Sequence, residues 1–429
     1  MAARRCSGGS TATRWSSTGC ATASTASRSR TRARPSPCAR AWAVPAVRPP
    51  PRAANGLTSS YRVLPEGVAS PPPRRPFRCI PGKVGDQQVK FGLFHTVQWP
   101  EGTDQRDRYR ESLDEAIHAE KVGLDAVWLT EHHFSRHGLI SDSLNVLSHL
   151  AAETSRIRLG TAVAVLPFHN PVRLAEAAAT VDVLSDGRLD FGVGRGYQWL
   201  EFNGFAVDMA ERPSRFEESM DLIVKSWTAT EPFSHQGQHW QYGDIQPQPR
   251  PLQEPHPPIW VATDSEDGLL RCAQNDWGVM LPQGRSIQVV AEQVGRYKEA
   301  LNKVGKPYDP SKLVLARGLY VAKDDETAWA EAQPPYVRFL QGAAKLAAPP
   351  TSGPPAMSNP FDTDSLRDAV VFGGPESCIA SLRKLQDLGV EYVIFFIHFG
   401  GLAHGKIIQS LELFAKDVAP ALVPAGAVN

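Results

Sequence analysis

From Val89 onward the chain repeats one unit, a short apolar run followed by a stretch whose apolar residues recur every three or four positions. That alternation constrains the fold more than any other feature. Runs such as Val89–Thr96, Ala126–Leu129, Ile157–Leu166, Leu189–Val193, Ile259–Ala262, Gly278–Leu281, Leu313–Ala322 and Tyr392–Ile397 are apolar on successive residues, not on alternate ones. Such strands are covered on both faces, as in parallel sheets. Helical spacing fills the intervals over Arg106–Val122, Leu144–Glu153, Pro171–Leu184, Pro213–Thr228, Ile287–Val304, Ser377–Leu388 and Ile407–Val418. Gly123 marks one helix stop, and Pro171 stands at a first helical position. Repeated βαβ units build either an open doubly wound sheet or a closed barrel. Eight strands over this length favour the α/β class in its closed form, a (β/α)8 TIM barrel.

Three segments break the rhythm. Pro232–Pro258 is rich in Pro, Gln and His and reads as a hairpin with loops. Gln341–Thr363 is Pro/Gly/Ala-rich, and an insertion of that length in a compact domain reads as a lid. Residues 1–88 form the third, an Arg/Ser/Ala/Pro-rich tail expected to be disordered, leaving 89–429 as the barrel domain. Met1–Gly85 holds 15 Lys and Arg against the single acid Glu66, while the remainder holds 31 basic and 44 acidic residues. The formal charge of +1 is therefore an average of two unlike pieces. The tail's composition fits an organelle transit peptide, a nucleic-acid-contacting segment or an upstream translation of GC-rich DNA. The last reading is preferred, and it places a valine start at Val84 or Val89. Arg4-Arg5 precedes no apolar segment, which argues against a secretory signal. Four of the six cysteines fall in the tail, so the body carries no disulfide framework and suits the cytoplasm. No run is apolar enough to span a membrane, and neither membrane nor nucleic acid is expected as a partner of the body.

In a barrel the chemistry gathers where strands end at their C-termini. The second strand ends in Thr130-Glu131-His132-His133, the fourth in Gly192-Val193-Gly194-Arg195-Gly196, the fifth in Thr263-Asp264-Ser265 and the eighth in His398. Glu131, His132 and His133 suit a general base, a satisfied polar cluster or a ligand set. A metal site normally adds a third convergent ligand or the HExxH spacing, which this stretch lacks, so no metal is expected there. The Gly194-Arg195 stretch resembles a dinucleotide fingerprint only superficially. It reads better as a close backbone approach to an anion, with Arg195 supplying the charge. Asp264-Ser265 reads either as a helix N-cap or as part of a phosphate-binding turn. Aromatic residues near these ends, among them Phe94, Trp128, Phe134 and Phe168, suit a pocket for a flat ring or an apolar substrate.

Together, KFGLF at Lys90–Phe94, VWLTEHHF at Val127–Phe134, LGTAVAVLPFHNPVRLAE at Leu159–Glu176, LSDGRLDFGVGRG at Leu184–Gly196 and GGPESCIASL at Gly373–Leu382 resemble the bacterial luciferase-like flavin monooxygenases. The resemblance spans about Val89 to Leu422. It implies a TIM barrel, reduced FMN as co-substrate, O2 as oxidant acting through a C4a-peroxyflavin, and a separate NAD(P)H:flavin reductase. It also implies a homodimer. On the matching positions, His132 takes the place of the family's catalytic histidine with His133 beside it, and Glu131 orients them. Arg195 takes the place of the arginine on the flavin phosphate, with Asp264 and Ser265 near that phosphate. Ala162-Val163 falls where luciferases have a non-prolyl cis peptide facing the isoalloxazine ring.

Three departures narrow the expectation. Gly194 stands where luciferase carries a reactive cysteine, Gly268 stands where it has a phosphate-contacting hydroxyl, and the lid segment is Pro/Ala-rich rather than charged. These point away from light emission and toward oxygenation of a small hydrophobic substrate. Within the same fold the alternative is an F420-dependent oxidoreductase, and outside enzymes it is a non-catalytic flavin-binding partner subunit.

Overall fold

The computed structural model describes residues 89–347 and 366–422. In chain order the elements are β1 (Lys90–His95), α1 (Gln105–Lys121), β2 (Ala126–Leu129), α2 (Ser143–Glu153), β3 (Arg158–Thr161), β4 (Ala164–Val165), α3 (Pro171–Leu184), β5 (Leu189–Gly194), α4 (Trp199–Gly204) and α5 (Arg212–Thr228). There follow β6 (Phe233–Gln236), β7 (Gln241–Ile245), β8 (Ile259–Ala262), α6 (Glu266–Asn275), β9 (Gly278–Leu281), α7 (Ile287–Lys303), β10 (Leu313–Val321) and α8 (Asp325–Leu346). The last are β11 (Val370–Gly373), α9 (Pro375–Asp387), β12 (Tyr392–Phe396) and α10 (His404–Leu413).

Parallel pairing runs β1-β2-β3-β5-β8-β9-β10-β12 and returns to β1, closing an eight-stranded TIM barrel. The seam joins the first strand to the last, with Phe94 opposite Phe396 on one side and Trp128 on the other. β11 lengthens the wall by pairing with the C-terminal half of β10, and β6–β7 form a separate antiparallel hairpin within the expected excursion.

The doubly apolar strands have a direct explanation in the packing. Within β12, Tyr392 and Ile394 join Trp128, Trp260 and Met280 inside the barrel, while Val393 and Phe395 join the layer beneath the helices. Each strand thus feeds two cores on alternate residues. Inside, the Trp128 indole donates to the Tyr392 hydroxyl at 3.0 Å and meets Trp260 edge-on, so the barrel is plugged below its mouth. Helix starts follow the sequence closely: Asp104, Asp142, Asn170, Ser286 and Asp324 each accept a backbone N–H as N-caps.

Three expectations are corrected. The apolar run Ile157–Leu166 is not one strand. A cis peptide at Ala162-Val163 divides it into β3 and β4. Gln341–Leu346, placed in the lid, is the last part of α8, and the rest of that segment from residue 348 lies outside the described residues, as does the tail 1–88. α8 itself is hidden in the sequence by Pro334-Pro335, since a proline inside a helix costs about 3 kcal/mol. Burial of Tyr336 and Phe339 on the same helix offsets that cost. Finally, the helix expected to reach Val418 is α-helical only to Leu413 and continues as a π turn over Phe414–Val418.

Candidate active site at the barrel mouth

The end of β2 delivers Glu131, His132 and His133 to the mouth, where they fall into two separate networks. Glu131 is buried. Its Oε1 lies 2.9 Å from His133 Nε2 and 2.8 Å from His169 Nε2, and its Oε2 accepts the Val165 backbone N–H at 3.1 Å. Burial alone would push this carboxyl up, but the bonds from His133 and His169 hold it below the ordinary glutamate value. For His169, burial opposes the charge and the Glu131 bond prevails, raising its pKa. Glu131 therefore fixes His133, His169 and the chain just past the cis peptide.

His132 belongs to the other network. Its Nδ1 lies 3.0 Å from Glu201 Oε1, and the same oxygen accepts the His133 backbone N–H at 3.0 Å. A carboxylate only accepts, so Nδ1 carries the proton and Nε2 keeps its lone pair. The Gln198 amide lies 3.0 Å from the same Nδ1, and turning it about places its otherwise unpartnered carbonyl oxygen on that N–H. Gln198 and Glu201 flank the start of α4, an element with no apolar periodicity to announce it. Their only trace in the sequence is a glutamate among aromatic residues just after the Gly194-Arg195 stretch. His137 packs edge-on to His132 and stacks on Phe339 of α8 at 4.8 Å. Burial, with His132 nearby, lowers its pKa to about 3, so it stays neutral. A Cβ added at Gly342 would lie 3.8 Å from His137 Nδ1, which puts the C-terminal end of α8 beside this pair.

The floor is formed where β4 meets β5. Val165 pairs with Gly194, and a Cβ at Gly194 would lie 2.5 Å from Val163 Cγ2. A side chain there would collide with Val163 of the cis peptide, which accounts for glycine where luciferase carries a cysteine. Ala162, Val163 and Phe94 are partly buried above the Trp128–Trp260 plug, leaving a flat, apolar surface at the mouth.

A recess is lined among others by Arg195, Glu217, Thr263, Gly268 and Arg271. Arg195 Nη2 donates to Glu217 Oε1 at 3.0 Å, and Arg271 Nη1 pairs with Glu217 Oε2 while its Nη2 donates to Asp221 at 2.8 Å. Burial and then the Arg195 charge lower the Arg271 pKa, the mark of two cations held close together. Of the two residues expected at this turn, Ser265 is the N-cap of α6, its Oγ accepting the Gly268 N–H at 3.3 Å. Asp264 is exposed and faces α7, where its carbonyl accepts from Arg296. A Cβ at Gly268 would lie 2.1 Å from Thr263 Oγ1, so the threonine hydroxyl of the preceding turn occupies the space a side chain there would need. Arg271 was not legible in the sequence, because it sits on an ordinary amphipathic helix.

The model of the family described as luciferase-like monooxygenase matches residues 89–392. The chain belongs to that family. The oxygenase component of flavin-dependent trigonelline monooxygenase from Acinetobacter baylyi is 28% identical, with 78% of this chain and 95% of that protein aligned. The uncharacterised protein y4vJ of Sinorhizobium fredii is 38% identical over 50% of this chain and 61% of its own length. Among solved structures, monooxygenase RslO1 from Streptomyces bottropensis superposes with TM-score 0.71 at 26% identity, covering 78% of this chain and 100% of that one. An F420-dependent glucose-6-phosphate dehydrogenase of Amycolatopsis mediterranei is also similar, at 25% identity over 73% of this chain and 94% of that one. The chain's relatives thus include flavin-dependent monooxygenases and F420-dependent enzymes.

Proposed function

We propose that the protein is the oxygenating component of a two-component, FMN-dependent monooxygenase, working as a homodimer and receiving reduced FMN from a separate NAD(P)H:flavin reductase. The observation that carries this reading is the two-ended mouth, a recess with two arginines at one end and His132, bonded through Nδ1 to a buried carboxylate, at the other. The residues fit the cofactor. Arg195, Arg271 and the Thr263 hydroxyl suit its phosphate, with the N-terminus of α6 adding its dipole. The surface of Ala162, Val163 and Gly194 suits a flat ring system. Bound there in its reduced form, FMN supplies the reaction with O2.

The chain's own contribution is position, dryness and proton traffic. Glu201 holds the His132 ring so that Nε2 is free to take or return a proton. Glu131 ties the His133–His169 pair to Val165 and so locks the turn after the cis peptide against the end of β2. His137, backed by Phe339, packs edge-on against the His132 ring, which would help keep water from the reacting site. Phe168, Phe202 and Phe205 form a contiguous aromatic cluster beside His133, and this cluster suits a small hydrophobic substrate.

Titrating the full chain with reduced FMN and with reduced F420, then admitting O2, tests the reading. Binding of FMN followed by a transient absorbance distinct from oxidised flavin supports it. Tight binding of F420 with hydride transfer to a carbonyl compound, and no response to O2, would overturn it in favour of the F420 branch.

A further inference from the structure

A second cluster of histidines lies on the outer face of the barrel wall, where the closing seam meets its helices. His95 ends β1, His398 follows β12, and Glu115 lies on α1; all three side chains are buried. His95 Nε2 and His398 Nδ1 each stand 3.2 Å from the same oxygen, Glu115 Oε2. One potential ligand atom from each residue falls within a sphere of mutual distances no greater than 4.8 Å. At the mouth both oxygens of Glu131 have hydrogen-bond partners. Here neither nitrogen of His95 has one, and Glu115 Oε2 and His398 Nε2 also have none. Of these, His95 Nε2 and Glu115 Oε2 face each other, and two buried atoms in contact without a hydrogen bond require an explanation, because each forfeits its hydration.

We propose that His95, Glu115 and His398 bind a zinc ion that staples the barrel seam. A tetrahedral zinc with bonds of about 2.0–2.1 Å spaces its ligand atoms about 3.3–3.4 Å apart, close to the two separations in the structure. Two imidazoles and a carboxylate are a donor set that suits zinc. The carboxylate is held from outside the cluster, as liganding carboxylates are. His404, at the start of α10, lies with Nδ1 2.9 Å from the other Glu115 oxygen and Nε2 3.1 Å from Asp114. Ser112 Oγ, 3.2 Å from His398 Nδ1, offers an oxygen for the fourth position. The ion would join the first and last strands of the barrel to the helices that follow them, at the one place where closure depends on residues far apart in sequence.

The test uses the full-length protein. It is stripped with a chelator, reloaded with Zn2+ and desalted; metal content is then read by mass spectrometry and the melting temperature is recorded. One zinc retained per chain, with a melting temperature that falls on stripping and recovers on reloading, is expected. Glu115→Gln keeps the shape of the side chain and should weaken zinc binding at least tenfold, whereas His235→Ala, on the hairpin, should leave the content unchanged. Should Glu115→Gln not fold, Co2+ loaded into the unaltered protein decides, since tetrahedral nitrogen and oxygen ligation gives intense visible absorption. Zinc content no higher than in Glu115→Gln, or lost equally in His235→Ala, would overturn the proposal. So would a Co2+ spectrum of the weak octahedral kind. Each of these results would leave a buried proton-sharing network.

Discussion

Two buried glutamates in this molecule are gripped by histidines, and they are finished differently. Glu131, at the mouth, has both oxygens engaged, by two imidazoles and a backbone N–H. Glu115, on the outer wall, shares one oxygen between two imidazoles that do not hydrogen-bond to it. A carboxylate whose lone pairs are all taken by donors is a fixed strut. One whose oxygen and a facing ring nitrogen, His95 Nε2, both lack a hydrogen bond has room for a cation between them. The same residue types therefore serve positioning at the mouth and, by our proposal, metal binding at the seam. Hydrogen-bond accounting separates them where composition does not.

The largest expected effect would break the mouth's half of that contrast. His132→Ala should keep flavin binding and lose coupled oxygenation by about 10²–10⁴-fold, the usual range for a positioned acid–base group, with O2 diverted to hydrogen peroxide. Product yield per reduced flavin in single turnovers measures this. An unchanged yield would mean that the mouth histidines are only structural. Next, Glu131→Ala leaves His133 and His169 without their common acceptor and should cost about 3–5 kcal/mol of stability in urea denaturation, as for other buried pairs missing one partner. A loss below about 1 kcal/mol, the ceiling for surface pairs, would show that the strut is not one.

Arg271→Ala sharpens the view of the other end of the site. The loss of one charged hydrogen bond, about 1.5–3 kcal/mol, should weaken FMN by roughly 10- to 100-fold in a fluorescence titration while leaving riboflavin, which has no phosphate, unaffected. Equal weakening of both ligands would remove Arg271 from the phosphate recess. The smallest effect is on pH dependence. His169 is raised, so its contribution is complete below its unfolded value of 6.5 and fades as pH rises through its folded value. Glu131 is lowered, so its contribution is complete above its unfolded value of 4.5 and fades as pH falls through its folded value. Their joint stabilisation should be greatest between pH 4.5 and 6.5, and His169→Gln should flatten the alkaline side of the stability profile.

Most of the barrel was legible because its strands carry a signal that survives without context. β2, β8 and β9 have the bounds their apolar runs indicate, since a strand packed on both faces is apolar at every residue. α8 was not legible, because Pro334-Pro335 is a local breaking signal that only the packing of Tyr336 and Phe339 overrules.

The division is similar at the site. The Glu131-His132-His133 stretch, Arg195 and the Ala162-Val163 step sit at strand ends and could be located from the sequence, the cis bond through the family resemblance. Their partners could not. Glu201, Gln198, His169, Glu217 and Arg271 lie on helices or loops distant in sequence, and each is an ordinary polar residue until the fold brings it within 3 Å or so of its partner. Local pattern sets the alternation of strands and helices and marks the strand ends where polar residues gather, because burial on both faces is written residue by residue. The eight-strand count favours closure, whereas the β1–β12 pairing completes it. Only the tertiary structure decided which carboxylate holds which histidine, and which is left with an oxygen to spare. That choice depends on distances between strands and helices that no local pattern encodes.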